Sequence, residues 1–324
     1  MKAPPTLSSR PEAAFWPPPV EMTVLGWFPV RDTIETMENV LRSTRVTLEM
    51  IKWEHSIFAL PFALTGAVLA ADGGPSLRVL CWIVVCMVGA RSAAMAFNRL
   101  ADSELDAANP RTAMRALPKG DLSKSFVLCF TILASGVFFL GAAMLNRLTL
   151  ELAPVALAVV LTYSYMKRIT RWSHLVLGLA LGIAPSAAWI AVRGTLSPRV
   201  LLLTGIVILW SGGFDMLYAC QDFEHDRKVG LNSVPQAFGL EGAFWIARLM
   251  HLGMVALLFV LLHVFGLGLI ALIGIILVMV LLAYEHIIIS PHDLRRMNAA
   301  FFTLNGVISV VFFAFVAADV LHRR

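Results

Sequence analysis

Charge is scarce in this chain of 324 residues. Asp, Glu, Lys and Arg make up 15% of it, against 58% apolar residues and a mean hydropathy of +0.77. So little charge excludes a soluble domain with an ordinary hydrated surface and implies a polytopic membrane protein in a lipid bilayer. Cysteine is also sparse. Cys81, Cys86, Cys129 and Cys220 all fall within apolar runs and lack metal-binding spacing. A disulfide framework and a thiolate metal centre are therefore excluded, and all four are expected to be small buried hydrophobes. The N-terminus, MKAPPTLSSRPEAAFWPPPVEM, lacks the apolar stretch of a signal peptide and is rich in proline. Residues 1–32 are expected to form a poorly ordered extension. TIETMENVLRSTRVTLEMIKW has mixed helical spacing and predicts an interfacial amphipathic helix over 33–54.

The rest, 55–324, is apolar in bursts. Nine runs, at 55–72, 78–98, 123–143, 149–166, 173–192, 199–220, 242–263, 266–287 and 300–320, each approach the ~20 residues that a helix needs to cross a bilayer. The predicted fold is all-α. Pro61, Pro154 and Pro185 lie inside runs, where neighbouring helices can satisfy the freed carbonyls. Lys and Arg sort by side. The segment up to Lys52 and the loops after the even-numbered runs carry 18, and the opposite side carries six. The positive-inside rule places the N-terminus and the even loops in the cytoplasm and the C-terminus outside. This sorting accounts for the net charge of +5 without a nucleic-acid partner.

The acids that remain are patterned. Asn98, Asp102 and Asp106 form one ladder with steps of four, and Tyr218, Asp222 and Asp226 form a second, with Asp215 one turn earlier. Steps of four keep side chains close to one helical face. Each ladder closes an apolar run, where a charge costs about 2.5–3.5 kcal/mol on insertion scales. Two carboxylate stripes opening on one membrane side make a site for a hard cation, with Asn98, Asp102, Asp106, Asp222 and Asp226 as ligands, and hard cations bind phosphates. Arg111, Arg115 and Lys119 lie just beyond the first ladder and Arg227 and Lys228 beside the second, while Arg91 shares the face of Asn98. These cations suit the outer oxygens of a diphosphate. Arg91 pairs with diphosphate or an aspartate, or else is paired structurally or snorkels. Asp215 either assists the metal or pairs with a buried cation such as Arg91. Lys167 and Arg168 follow Tyr163 and Tyr165 and fit a place near the diphosphate or an aromatic substrate. Tyr218 can present its ring to a developing cation. Glu104 and Glu224 point off the stripes. His251 and His263 read as packing residues, Trp189 as packing or a pocket wall, and Glu54 and His55 as an anchor or part of the site.

The two ladders, in AFNRLADSELDAANPR and GFDMLYACQDFEHDRK, together with KWEHSIFALPFALTGAVLA, NPRTAMRALPKG and YSYMKRIT, resemble the UbiA superfamily of intramembrane aromatic prenyltransferases. The likeness is to its 4-hydroxybenzoate polyprenyltransferase branch. It implies nine transmembrane helices around a central cavity, and Mg2+ and a polyprenyl diphosphate bound at the two motifs. The implied reaction is transfer of the prenyl chain to a ring carbon of a small hydroxylated aromatic acid in ubiquinone-type biosynthesis. Asp102, Asp106, Asp222, Asp226 and Tyr218 would be the catalytic residues. The first motif begins Asn98–Arg99 where many members have Asn–Asp, a form shared by 4-hydroxybenzoate-like relatives. YACQD followed by DRK also resembles the futalosine-route enzymes, implying a dihydroxynaphthoate acceptor and menaquinone instead. A transporter with a divalent-cation site is the remaining alternative. It fits less well, because the acids cluster at one face and the run lengths show no inverted repeat.

Overall fold

The computed structural model describes residues 43–52 and 56–323. The extension over 1–32, most of the segment over 33–54, and Glu54 and His55 lie outside the described residues. Among the described residues the regular structure is helical. α1 covers 43–51. It is followed by α2 (Ser56–Ala71), α3 (Leu77–Ala101), α4 (Ser103–Ala108), α5 (Ala116–Lys119), α6 (Lys124–Leu145), α7 (Arg147–Ile169), α8 (Ser173–Arg193) and α9 (Pro198–Ala219). A 3-10 turn (Cys220–Asp222) leads to α10 (Phe223–Val229), α11 (Val234–Val264) and α12 (Leu269–Ile288). A π-helical turn (Ala299–Leu304) then opens α13 (Asn305–His322).

Eight helices among the described residues are long and apolar enough to cross a membrane. The run expected over 55–72 is α2, whose 16 residues, about 24 Å, fall short of that length. The helix expected over 242–263 begins at Val234, where Ser233 caps it and Pro235 suits its first turn. Gly239, at φ 73°, turns that first segment away from the rest, so periodicity alone caught only the later part. The four cysteines are free, but Cys81 and Cys129 are exposed, not buried as expected. They sit on outer faces of the bundle, where a thiol is apolar enough to face lipid.

α9 is central. Trp210, Leu203, Ile206 and Val207 on it are fully buried against α2, α11 and α13. With lipid outside, burial drives helix association weakly, and close backbone approach matters more. Gly66 of α2 sits on the carbonyl of Pro185 in α8. A β-carbon at Gly178 of α8 would lie 2.7 Å from the carbonyl oxygen of Ile208 in α9. Nearby, the Thr204 hydroxyl donates to the Gly182 carbonyl at 2.8 Å, one turn before Pro185. Gly178→Ala must push backbone against backbone and should cost about 1–3 kcal/mol, seen as a lower Tm in detergent. Gly136→Ala, which meets nothing within 4 Å, should leave Tm unchanged or raise it. Equal Tm values for the two variants would exclude close α8–α9 packing as a determinant of stability.

The π-helical turn has polar support. Asn305, fully buried, accepts from Trp210 Nε1 at 2.8 Å and donates to Glu285 Oε1 at 3.1 Å and to the Ala300 carbonyl at 3.2 Å. A π turn places one more residue per turn than an α-helix. Here it brings the adjacent Phe301 and Phe302 to the same interior surface. His251 is buried as expected, but it is paired: its Nδ1 is 2.9 Å from Nε2 of His286. His263 is exposed, and Trp189 packs against Phe265 away from the main cavity.

Candidate active site

The helices enclose a cavity of about 1450 Å³. Its apolar wall includes Phe58, Leu177, Ile183, Phe214, Phe301 and Phe302. Both ladders line it, so the two acidic motifs open on the same cavity.

Neither ladder stands on one unbroken helix. α3 stops at Asp102, which has φ −99° and ψ 6°, and α4 starts immediately after it. α9 gives way to the 3-10 turn, and Asp222, at φ −98° and ψ 7°, precedes α10. The two aspartates therefore share a backbone conformation at equivalent breaks. Each is followed by a short helix with acids in its first turn, where the positive end of the helix favours them.

Every ladder carboxylate but one is held by a cation. Asp102, 4% exposed, accepts from Lys167 Nζ at 2.6 Å, Arg168 Nη2 at 2.9 Å and Asn98 Nδ2 at 3.2 Å. Asp106 accepts from Arg115 Nη1 at 2.6 Å, while its second oxygen faces the buried Arg99 at 3.8 Å, beyond hydrogen-bond reach. Asp222 accepts from Asn109 Nδ2 at 3.1 Å and Arg111 Nε at 2.8 Å, and the guanidinium closes a second contact on its other oxygen. Arg111 also donates to the Tyr218 hydroxyl at 3.3 Å and lies 5.6 Å above that ring. Burial alone would lower the Arg111 pKa, but the hydrogen bonds and charge of Asp222, with Tyr218, outweigh it and raise the pKa above the usual arginine value. Among the described residues Asp226 lines the cavity without an ion pair.

Other expected residues are distributed unevenly. Arg91 lines the cavity and donates to the Lys52 carbonyl at 3.4 Å. Lys119 lines it too but is paired with Asp121 at 3.1 Å. Arg168 reaches the site only through Asp102 and the Ala101 carbonyl. Arg227 and Lys228 are exposed and off the cavity wall, because the short α10 points them outward. Asp215 is paired with His174, at 2.7 Å. Tyr218 lies against Phe301 with ring centroids 4.1 Å apart. Glu104 and Glu224 are exposed, as expected.

Sequence reasoning missed His174, Asn109 and the central place of Arg111. The NPR tripeptide after the first ladder marked the loop but gave no sign that it would reach across to the second. Among the described residues no three His, Cys, Asp or Glu side chains converge as a metal-binding group. Asp102, Asp106 and Asp222 face basic partners of their own instead of one another.

The UbiA prenyltransferase family model matches residues 59–307. The 4-hydroxybenzoate octaprenyltransferase of Aliivibrio fischeri is 33% identical over 255 residues, covering 79% of this chain and 88% of that protein. Its Coxiella burnetii counterpart is 32% identical over 276 residues, covering 83% and 92%. The enzyme of that name from Vibrio cholerae is 38% identical over 185 residues, and the match spans 65% of its length. Among solved structures, a UbiA homologue from Aeropyrum pernix has a TM-score of 0.76 at 34% identity, covering 83% of this chain and 98% of that one. A UbiA homologue from Archaeoglobus fulgidus bound to DMAPP and Mg2+ has a TM-score of 0.65 at 20% identity, covering 85% and 98%, a likeness of fold.

Proposed function

Because the chain belongs to the UbiA prenyltransferase family, we propose that it transfers a polyprenyl group from its diphosphate to a ring carbon of 4-hydroxybenzoate or a similar hydroxylated aromatic acid. The observation that carries this reading is the joining of two cation-clasped aspartate ladders at one end of a single large apolar cavity. The cavity suits a prenyl chain and a small ring, and the ladders suit the diphosphate.

The donor set fits Mg2+. Asp102, Asp106, Asp222 and Asp226 supply hard oxygen ligands on the cavity wall, and Asp106 keeps one oxygen without a hydrogen-bond donor. Asn98 would complete the first ladder. Mg2+ when bound supplies Lewis-acid stabilisation of the departing diphosphate. The cations on the carboxylates that line the cavity, Arg111, Arg115 and Lys167, are placed to turn to diphosphate oxygens when the acids take metal, while Arg168 steadies Asp102 from behind. Arg91 and Lys119 extend that basic rim. The faces of Tyr218 and Phe301 flank the place where an allylic cation would form, and ring quadrupoles favour it there. The apolar wall keeps water from that cation until the ring attacks. The asymmetry of Lys and Arg supports a cytoplasmic placement of the ladder end of the bundle, where soluble diphosphates are met.

The test is product formation. Membranes holding the protein, supplied with Mg2+, a polyprenyl diphosphate and 4-hydroxybenzoate, should yield the prenylated acid by mass spectrometry and lose it with EDTA. A parallel reaction carries a dihydroxynaphthoate. Product there alone would keep the chemistry and change the acceptor. No product in either, from folded protein and several donor lengths, would overturn the reading.

A further inference from the structure

His174 stands in the first turn of α8, and Asp215 lies one turn from the end of α9. The tight approach at Gly178 holds these two helices together. His174 Nδ1 and Asp215 Oδ2 are 2.7 Å apart. An ionised carboxylate only accepts, so Nδ1 carries the hydrogen, and in the neutral imidazole Nε2 then carries the lone pair. His174 is 4% exposed, and its Nε2 is buried without a hydrogen-bond partner. Both residues line the cavity, and neither is bonded to a ladder acid. A buried acceptor without a donor is a rarity that requires an explanation. The carboxylate fixes the ring's tautomer and orientation, the arrangement by which a histidine serves as a proton acceptor.

We infer that His174 Nε2 accepts the hydroxyl proton of the aromatic acceptor, with Asp215 as its positioning partner. This rests on the functional reading above. In the step, the carbon–oxygen bond to diphosphate breaks and its electron pair leaves with diphosphate. The ring carbon ortho to the hydroxyl forms the new bond to the allylic carbon. As it does so the O–H proton passes to Nε2, leaving a ring ketone. The imidazolium then returns that proton to the oxygen as the hydrogen on the substituted carbon passes to the released diphosphate, and aromaticity is restored. One proton is released per transfer, and His174 ends as it began. The cavity therefore selects acceptors bearing an ionisable hydroxyl.

The experiment uses the solubilised full chain with Mg2+, geranyl diphosphate, and either 4-hydroxybenzoate or 4-methoxybenzoate. The methoxy group still donates electrons to the ring but has no proton to give. For the wild type, methylation should cost roughly 10²-fold or more in kcat/KM, the usual scale of general-base help. His174→Ala should lose about as much with the hydroxy acid, and its penalty for methylation should shrink towards none. His174→Gln keeps a hydrogen-bond acceptor but cannot take the proton. It should hold the acceptor KM near wild type while kcat falls, a split that a purely structural histidine would not produce. If His174→Ala does not fold, judged by binding of unreactive geranyl thiodiphosphate, the Gln variant decides. An unchanged rate in the folded variants, or the same methylation penalty with and without the histidine, overturns the inference alone. Failure of the wild type with every hydroxylated acid overturns the functional reading and the inference with it.

Discussion

Asp222→Asn should reduce prenyl transfer by roughly 10³-fold or more, while the protein should still insert and fold. Asp222 is where the two halves of the site meet. It holds Asn109 and Arg111 from the loop after the first ladder, and through Arg111 it is linked to Tyr218 at the end of α9. Asn keeps the shape and one acceptor oxygen but removes the charge, which the proposed site needs both to bind metal and to orient Arg111. The effect on folding is smaller. The Arg111 side chain is 36% exposed, so a guanidinium losing its partner there is still hydrated and costs at most about 1 kcal/mol. Asp102 is a poorer test, because its side chain is 5% exposed and neutralises both Lys167 and Arg168. Its loss would leave two cations without their carboxylate and confuse folding with chemistry. The check is product yield by mass spectrometry alongside Tm in detergent. Near-normal turnover in Asp222→Asn would remove Asp222 from the reacting centre.

The contrast between these aspartates shows what the sequence could and could not tell. The ladders were legible because a spacing of four on a helix is a local geometric fact, and because charge closing an apolar run is too costly to be incidental. The long helices were legible from run length, with α2 short and α11 starting early where Gly239 hides its first turn. The breaks at Asp102 and Asp222 were not legible. They are single-residue changes in ψ that periodicity averages away. Long-range pairing was hidden as well. Arg111 and Arg227 look alike in sequence, each a loop arginine just beyond a ladder. Only the fold shows that the first crosses to Asp222 and the second faces outward. His174 and Asp215 are 41 residues apart and become partners only because α8 and α9 approach at glycines. The π turn that brings Phe301 to Tyr218 depends on Asn305, whose role requires knowing that Trp210 and Glu285 surround it.

Arg111→Gln is expected to move two affinities in opposite directions. In the structure the Arg111 guanidinium occupies both oxygens of Asp222. A divalent cation binding there without donor must displace it, and a site whose competent form is only partly populated binds with proportionately weaker apparent affinity. Removing the competitor should therefore tighten Mn2+ binding to the donor-free protein, by about tenfold for each 1.4 kcal/mol of ion pair released. Salt screens this half-exposed pair, so the gain should be largest at low ionic strength. The same variant loses a cation meant for diphosphate. A charge-assisted hydrogen bond contributes about 1.5–3 kcal/mol, so KM for the prenyl diphosphate should rise roughly 10- to 100-fold. Titration calorimetry with Mn2+ and steady-state kinetics in the donor read the two effects separately. A variant that is merely misfolded would weaken both. Tighter metal with weaker donor is the signature of an arginine that guards the carboxylate until diphosphate arrives. If metal affinity falls together with donor affinity, Arg111 is a structural brace between the two motifs and does not exchange partners in the proposed way.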